Sequence, residues 1–442
     1  MGKVILRLIA LAGACALPLI LTGQSTMKAP QAIVFTGQIA PSSNGARLQS
    51  LGPPSINNSG DVAFRGGLTE STVYYGKFEG KLSPSGIFLA SKGSILRITG
   101  SGDPVPKRSE TFSDVGDPAL NDSGQIAFMA RIGGGYENAG IFLRTGTDLI
   151  PIAITGDPAP GTGGTFLTFS QALVNNAGTV AFGARFNGPQ AGTGIFVYLN
   201  GKLKPAVLHS QPAPTHPPGV FERFHGLAIN ASDQLVFSAT VNMDNRTVEK
   251  NGVFILLGSG ITLAAIEGGS AGNRPQLFGA LTQPAINDAG DIAFLEAVRQ
   301  RGGFGSRNVP NGVFAIARQN VVAVAGAGKA SNAVASAGKP SSPDGPIFAQ
   351  SFQRPAIVRN NDGTDAVFFI ARTEAPRGSN GLWKYSHSAL TRIAQEGEPT
   401  TAGGSYSFIS GLAVSSSGYC AFVSGIKGSA ASAGIFVNKI GL

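Results

Sequence analysis

Cysteine is nearly absent from this chain: Cys15 and Cys420 are the only two among 442 residues. If Cys15 leaves with an N-terminal leader, Cys420 is alone and an intrachain disulfide is excluded. Cys420 falls in a short apolar run, where a small buried side chain is expected rather than a reactive thiol. Charge is sparse as well, at 13% of residues, and the formal net charge of +9 gathers into no Lys/Arg-rich run. Nucleic acid is therefore not expected as a partner, and only a weak attraction to anionic envelope surfaces follows. The four histidines, His209, His216, His225 and His387, have no metal-ligand spacing and no accompanying carboxylate cluster. His209 and His216 bracket a Pro-rich loop, so neither metal nor cofactor is expected. No Gly-x-Ser-x-Gly elbow and no phosphate loop is present. There is no amphipathic helix pattern, and beyond the first 24 residues no apolar stretch could span a membrane.

Glycine and proline, by contrast, are plentiful: 62 and 27 residues. That composition suits many short strands joined by turns. One phrase recurs through the chain, Asn121-Asp-Ser-Gly124-Gln-Ile-Ala127-Phe128 being a clear copy. Others start at Asn57, Asn175 and Asn287, with glycines at Gly60, Gly178 and Gly290. Asn230 opens a copy with Asp233 in the glycine place. Asn360 and Gly363 open one with a longer run, so that Phe368 or Phe369 takes the Phe position. A seventh copy keeps Gly418 but has Ser415 for Asn. Asn followed three residues later by Gly is a tight-turn signal, since Asn bonds nearby backbone and Gly accepts a positive φ. The apolar run after it predicts a strand buried on both faces, with large side chains on one and Ala on the other.

Each copy carries the same surroundings. An aromatic and an apolar stretch precede it, and Gly-Ile-Phe or a variant follows, as in Gly140-Ile-Phe142 and Gly381-Leu-Trp383. A fourth strand then follows a short turn. Four strands, A to D, repeated seven times predict an all-β, seven-bladed β-propeller. The segment from Gln31 to Gln38 reads as a D strand with no A, B or C before it, and the last unit has no D. The N-terminal strand is thus expected to complete the last blade, removing two exposed edges.

Residues 1–24 read as a signal peptide, with Lys3 and Arg7 ahead of the apolar run from Leu8 to Leu21. Lipid attachment at Cys15 and an uncleaved anchor are the alternatives. Residues 25–442 are expected to form a single propeller domain, exported to the periplasm or the exterior and monomeric. Insertions at 69–84 and 299–310 are expected between strands B and C of the first and fifth units. Low-complexity sequence over 325–346 predicts a flexible loop.

In a propeller the A-to-B turns share one rim with the C-to-D turns. The repeated Asn-x-x-Gly turns are therefore architectural, with Asp61 and Asp291 as turn caps. The opposite rim is expected to gather the irregular segments 69–84, 186–193, 241–251, 299–310 and 325–346, with several Pro-bearing loops. Arg131 and Arg185 lie three residues beyond the strand-B Phe, and Arg372 matches if Phe369 is the equivalent. With Asp103, Asp157 and Glu398 they form a candidate ring for an anionic or sugar-like ligand. The same residues also fit inter-blade salt bridges and turn caps.

The recurring Asn-x-x-Gly-x-x-Ala-Phe resembles the repeat of bacterial exported tandem-repeat proteins and, more distantly, the hairpin of TolB-like propellers. The resemblance implies a β-propeller at the surface or outside the cell, without an assigned activity. This chain departs from it in ending almost directly after a strand-like segment, so release or retention by the N-terminus is expected rather than a C-terminal sorting tail. The functional expectation is an exported, non-catalytic scaffold that engages a glycan, peptide or protein of the envelope or exterior through the loop-rich rim. The alternative is a hydrolase or lyase acting on polysaccharide with rim carboxylates.

Overall fold

The computed structural model describes residues 28–442 except 70, 76–77, 83, 135–137, 244–247, 271–276, 303–304, 318–319, 327–347 and 374–377. The leader at 1–24 and nearly all of the 325–346 segment lie outside the described residues. Among those described there is no helix. Seven small antiparallel sheets form a ring, as the period predicts. Blade 1 shows the plan: strand A is Leu48–Leu51, B is Val62–Leu68, C is Ser85–Ser91 and D is Ser94–Gly100, hydrogen-bonded in that order.

Blade 7 consists of Ser405–Val414, Tyr419–Lys427 and Ala433–Lys439, and its fourth strand is Gln31–Phe35 from the other end of the chain. The closing ladder is antiparallel, with Gln31 opposite Val437 and Phe35 opposite Gly434.

Two short sequence features build the blade core. In Ala-Phe, the Phe turns toward the preceding blade and the Ala toward the following one. Phe128 thus packs in one cluster with Ala63, and Phe182 in another with Ala127. A large side chain meets a small one at these seams, which sets a close blade spacing. In six blades the strand-B Phe also stacks on the strand-C Phe opposite it, as in Phe128–Phe142 (5.7 Å between centroids) and Phe182–Phe196 (5.9 Å). A strand-A aromatic meets the strand-C ring edge-on, Phe112 at 5.0 Å and Phe166 at 4.9 Å. Such pairs add about 0.5–1.5 kcal/mol each beyond burial. In Gly-Ile-Phe, the ring two residues on covers the glycine: a Cβ on Gly140 would lie 3.0 Å from Phe142. In blade 6, Trp383 pairs with Phe369, so Phe369 takes the Phe position and Phe368 stands where most blades have Ala.

The Asn-x-x-Gly turn joins blades as well as strands. Asn175 Oδ1 accepts the backbone N–H groups of Ala177 and Thr179 (3.1 and 2.9 Å). Its Nδ2 donates to the Asn230 carbonyl in the next blade (2.7 Å). Asn121 reaches the Asn175 carbonyl, and Asn230 that of Asn287, in the same way (2.8 and 3.0 Å). Gly60, Gly124, Gly178, Gly290, Gly363 and Gly418 all have φ between 76° and 85°, and Asp233 replaces them at 61°. At the blade 5–6 seam the pattern changes. Asn287 Nδ2 donates to Asp365 (2.9 Å), and Arg359 bridges Asp291 and Asp365. Asp61 does accept from its own turn Asn57 (3.2 Å), whereas Asp291 serves this inter-blade pair. Burial and the Asp291 charge push Asp365 up to about 6.

Three segments expected to be irregular are regular ribbon. Strands B and C of blade 4 run to Met243 and restart at Val248; those of blade 5 run to Gly302 and restart at Gly305. Within 69–84, Ser71–Tyr75 pairs with Phe78–Leu82. Continued backbone pairing satisfies N–H and C=O groups that an irregular loop would leave to solvent. The fifth unit's strand D, Asn320–Gly326, also takes in the first two residues of the segment read as loop.

Candidate functional site

Strand A lies on the inner side of every blade, and its ladder to strand B is interrupted partway along in each. In four blades the cause is proline, at Pro54, Pro118, Pro284 and Pro355, which has no N–H to give. The residue just before this point sits two positions ahead of the partner of the motif's Ala or its substitute. Around the ring that register position holds Pro53, Asp117, Gln171, Gly226, Gln283, Arg354 and Gly411.

Arg354 is the longest of these side chains, and it crosses the lumen. From blade 6 its Nη2 donates to the carbonyls of Leu227 in blade 4 (2.7 Å) and Pro284 in blade 5 (3.2 Å). Part of its surface remains open to the channel although protein surrounds it. That enclosure lowers the guanidinium from its ordinary value, and an arginine keeps its charge at neutral pH. Asp117, the carboxylate of this register ring, is pushed up by burial, with Arg65 opposing.

Beside Arg354 a cavity of about 300 Å³ opens between blades 3 and 4. Arg185, Ser170 and Gln171 line it from blade 3, and His225 from blade 4, with Phe169 and Phe224 as apolar walls. No Asp or Glu lines it. Arg185 is exposed and has no hydrogen-bond or ion-pair partner among the described residues. His225 Nε2 lies 2.6 Å from Thr240 Oγ1. Partial desolvation and the Arg223 cation lower its pKa, so the imidazole is neutral at neutral pH.

Of the expected site residues, Arg185 alone lines this cavity. Arg131 and Arg372 share its register position, opposite the start of strand C, in blades 2 and 6. Asp103 takes a two-pronged ion pair from Arg97 (2.8 and 3.0 Å) and the Gly100 N–H. Asp157 accepts the Ile154 N–H (2.8 Å). Glu398 accepts the Gln395 N–H (2.8 Å) and pairs with Arg392 (2.9 Å). All three cap the end of an outer strand D, away from Arg185 and Arg354. Arg354 and His225 carry no motif signal. They stand out only when the blades are aligned on the repeat and the dissimilar positions are read down the column.

At the opposite end of the channel, the strand-A ends Ile56, Leu120, Val174, Ile229, Ile286 and Val414 surround a second cavity of about 230 Å³. Its rim groups satisfy one another: Asn58 and Asn176 both donate to Asp122 (2.6 Å each).

The sequence matches the model of a family of unknown function, DUF7453, over residues 19–193 and 190–441. The chain belongs to that family. No curated protein matches the sequence. Among solved structures, this DUF7453 member is similar to the β-propeller domain of the Trilobed protease from Pyrococcus furiosus, which has an open velcro topology. The TM-score is 0.51 at 10% identity, over 88% of this chain and 94% of that one. A polysaccharide lyase, Uly1, gives 0.44 at 9% identity, over 95% and 94%. A PL25 ulvan lyase bound to a glucuronate–sulfated rhamnose fragment gives 0.43 at 10%, over 92% and 97%. At such identities these likenesses speak for the propeller fold alone. No helix among the described residues is long and apolar enough to cross a membrane.

Proposed function

We propose that this DUF7453 propeller is an exported protein that binds an acidic saccharide in its channel, entering from the loop-rich rim. The observation that carries this reading is a cavity with two guanidinium groups from different blades and no carboxylate. A planar guanidinium matches a carboxylate or sulfate with paired hydrogen bonds, and enclosure strengthens that match. Ser170 and Gln171 offer donors and acceptors for hydroxyls, while Phe169 and Phe224 offer apolar surface for a sugar ring. Acidic peptides share the charge but lack the dense hydroxyls that these groups would serve. The leader-like first 24 residues support export.

The test is a thermal-shift and calorimetry series with uronate and sulfated oligosaccharides beside neutral ones of equal length. Acidic sugars should raise Tm, by about 2.7 kcal/mol of stabilisation at a hundred times Kd, and neutral ones should not. Arg354→Ala and Arg185→Ala should abolish the shift. Equal shifts from neutral and acidic sugars would sink this reading.

A further inference from the structure

His225 is the inner end of a hydrogen-bonded line that runs through blade 4 from the channel wall to the outer strand. His225 Nε2 meets Thr240 Oγ1 at 2.6 Å, Thr240 Oγ1 meets Asn251 Oδ1 at 3.2 Å, and Asn251 Nδ2 meets Glu267 Oε2 at 3.0 Å. The direction of every bond follows from the far end. The Glu267 carboxylate is an acceptor, so the Asn251 amide must present its NH₂ there and its oxygen to Thr240. The Asn251 backbone N–H also donates to Glu267 (3.1 Å), which holds that arrangement. The single Thr240 proton then goes to Asn251, and Thr240 oxygen is left to accept from His225. His225 therefore carries its proton on Nε2, and its Nδ1 holds a bare lone pair with no partner among the described residues.

The Asn–Glu part of this line is a plain structural stitch, since Asn380 and Glu396 repeat it in blade 6 (2.6 Å). Only blade 4 continues it inward. At the Thr240 register position blade 6 has Arg372 and blade 3 has Arg185. The charged groups around His225 are Arg223 on its own strand, itself paired with Glu249, and the cavity's Arg185 and Arg354. Arg223 favours the unprotonated ring, and Arg185 and Arg354, which line the cavity, would neutralise a ligand carboxylate.

We propose that His225 is a general base for β-elimination of a uronate-containing polysaccharide, with Thr240, Asn251 and Glu267 as positioning residues. The proposal rests on the acidic-saccharide reading and names a reaction for the same cavity. His225 Nδ1 takes the proton from the carbon next to the uronate carboxylate. The released electron pair forms a carbon–carbon double bond as the adjacent carbon–oxygen bond to the leaving sugar breaks. The leaving oxygen takes back a proton from the imidazolium, so the step needs no oxidant, reductant or water. Arg185 and Arg354 stabilise the charge that builds on the carboxylate. This places the chemistry on a histidine and two arginines rather than on the rim carboxylates.

Polyglucuronate, polygalacturonate and alginate are the probes, read by the ultraviolet absorbance of the unsaturated uronate product. Wild type should turn over at least one of them. His225→Gln should lose about a thousandfold in kcat while keeping the thermal shift with uronate oligomers. Thr240→Val should lose at least about tenfold in kcat with KM little changed, and Thr240→Ser should restore most of it. Nitrogen NMR of the free protein gives a readout independent of turnover: Nε2–H in wild type, with that preference lost in Thr240→Val. An Nδ1–H tautomer, or full turnover by His225→Gln, overturns the assignment. Uronate binding without elimination overturns the base and leaves the binding site standing. No uronate binding at all removes both.

Discussion

The two mouths of the channel are made by the same seven strands, yet one repeats itself and the other does not. At the turn mouth, Asn, Gly and the aliphatic strand ends recur from blade to blade, and their polar groups are spent on one another. At the loop-rich end a single register position runs from proline through aspartate and glutamine to arginine. Repetition is not required there, because the one long side chain of the column, Arg354, reaches backbone carbonyls of blades 4 and 5 without a counterpart in those blades. The difference teaches that in a repeat protein sameness marks the fold, and disagreement in one column is where a candidate site is to be sought.

Substitutions can break that contrast. The largest effect on stability is expected at the turn mouth. Asn175→Ala strands two backbone N–H groups and the Asn230 carbonyl, at a cost of about 3 kcal/mol in denaturant unfolding. It should leave ligand affinity untouched. Arg354→Ala should do the reverse: affinity for acidic oligosaccharides should fall about a hundredfold, roughly 2.7 kcal/mol, with Tm little changed. A protein in which both variants lost stability alike would erase the distinction between the mouths. Gly124→Ala, forced to hold φ at 76°, should cost about 1–2 kcal/mol and again spare binding.

The blade 5–6 seam sharpens the comparison through pH. Asp365 has its pKa raised from the ordinary carboxylate value to about 6, so the folded protein holds this proton more tightly than the unfolded chain does. Its contribution to stability is therefore fully present below about pH 4 and is lost as pH rises through about 6. In a Tm–pH series, Asp365→Asn should gain on wild type as pH climbs from 4 to 7. A difference that ran the other way would mean that Arg359 governs the carboxylate. The smallest effect is expected from Asp103→Ala, about 1 kcal/mol or less, with no change in ligand affinity. Loss of binding in that variant would return the site to the outer rim.

The fold was legible because its signals are local. A turn Asn, a glycine under a ring and an Ala-Phe pair each act within a few residues, and seven copies average out the noise. The strand missing at one end and spare at the other identified the closure, which Gln31–Phe35 makes against Ala433–Lys439. Register settled what spacing could not: Phe369 opposes Trp383, which brings Arg372 into step with Arg131 and Arg185. The candidate site was hidden for the converse reason. Arg185, His225 and Arg354 come from three blades and meet only because a ring brings its inner edges together. Arg185 could be found from its phase to the strand-B Phe. Arg354 sits on a strand whose ladder is interrupted, where spacing from a motif loses meaning. The long hairpins of blades 4 and 5 look like loops in sequence because polar residues fill them, while the backbone goes on pairing.

The closing ladder also has a mechanical side. Gln31 lies opposite Val437, so both ends of the chain leave the ladder at the same end of it. Traction between the two ends would not shear that pair of strands; it would unzip it, one hydrogen bond after another from Gln31 inward. The molecule is a bracelet whose clasp opens under tension applied to its own tails, while load carried across the blades never reaches the clasp in that direction.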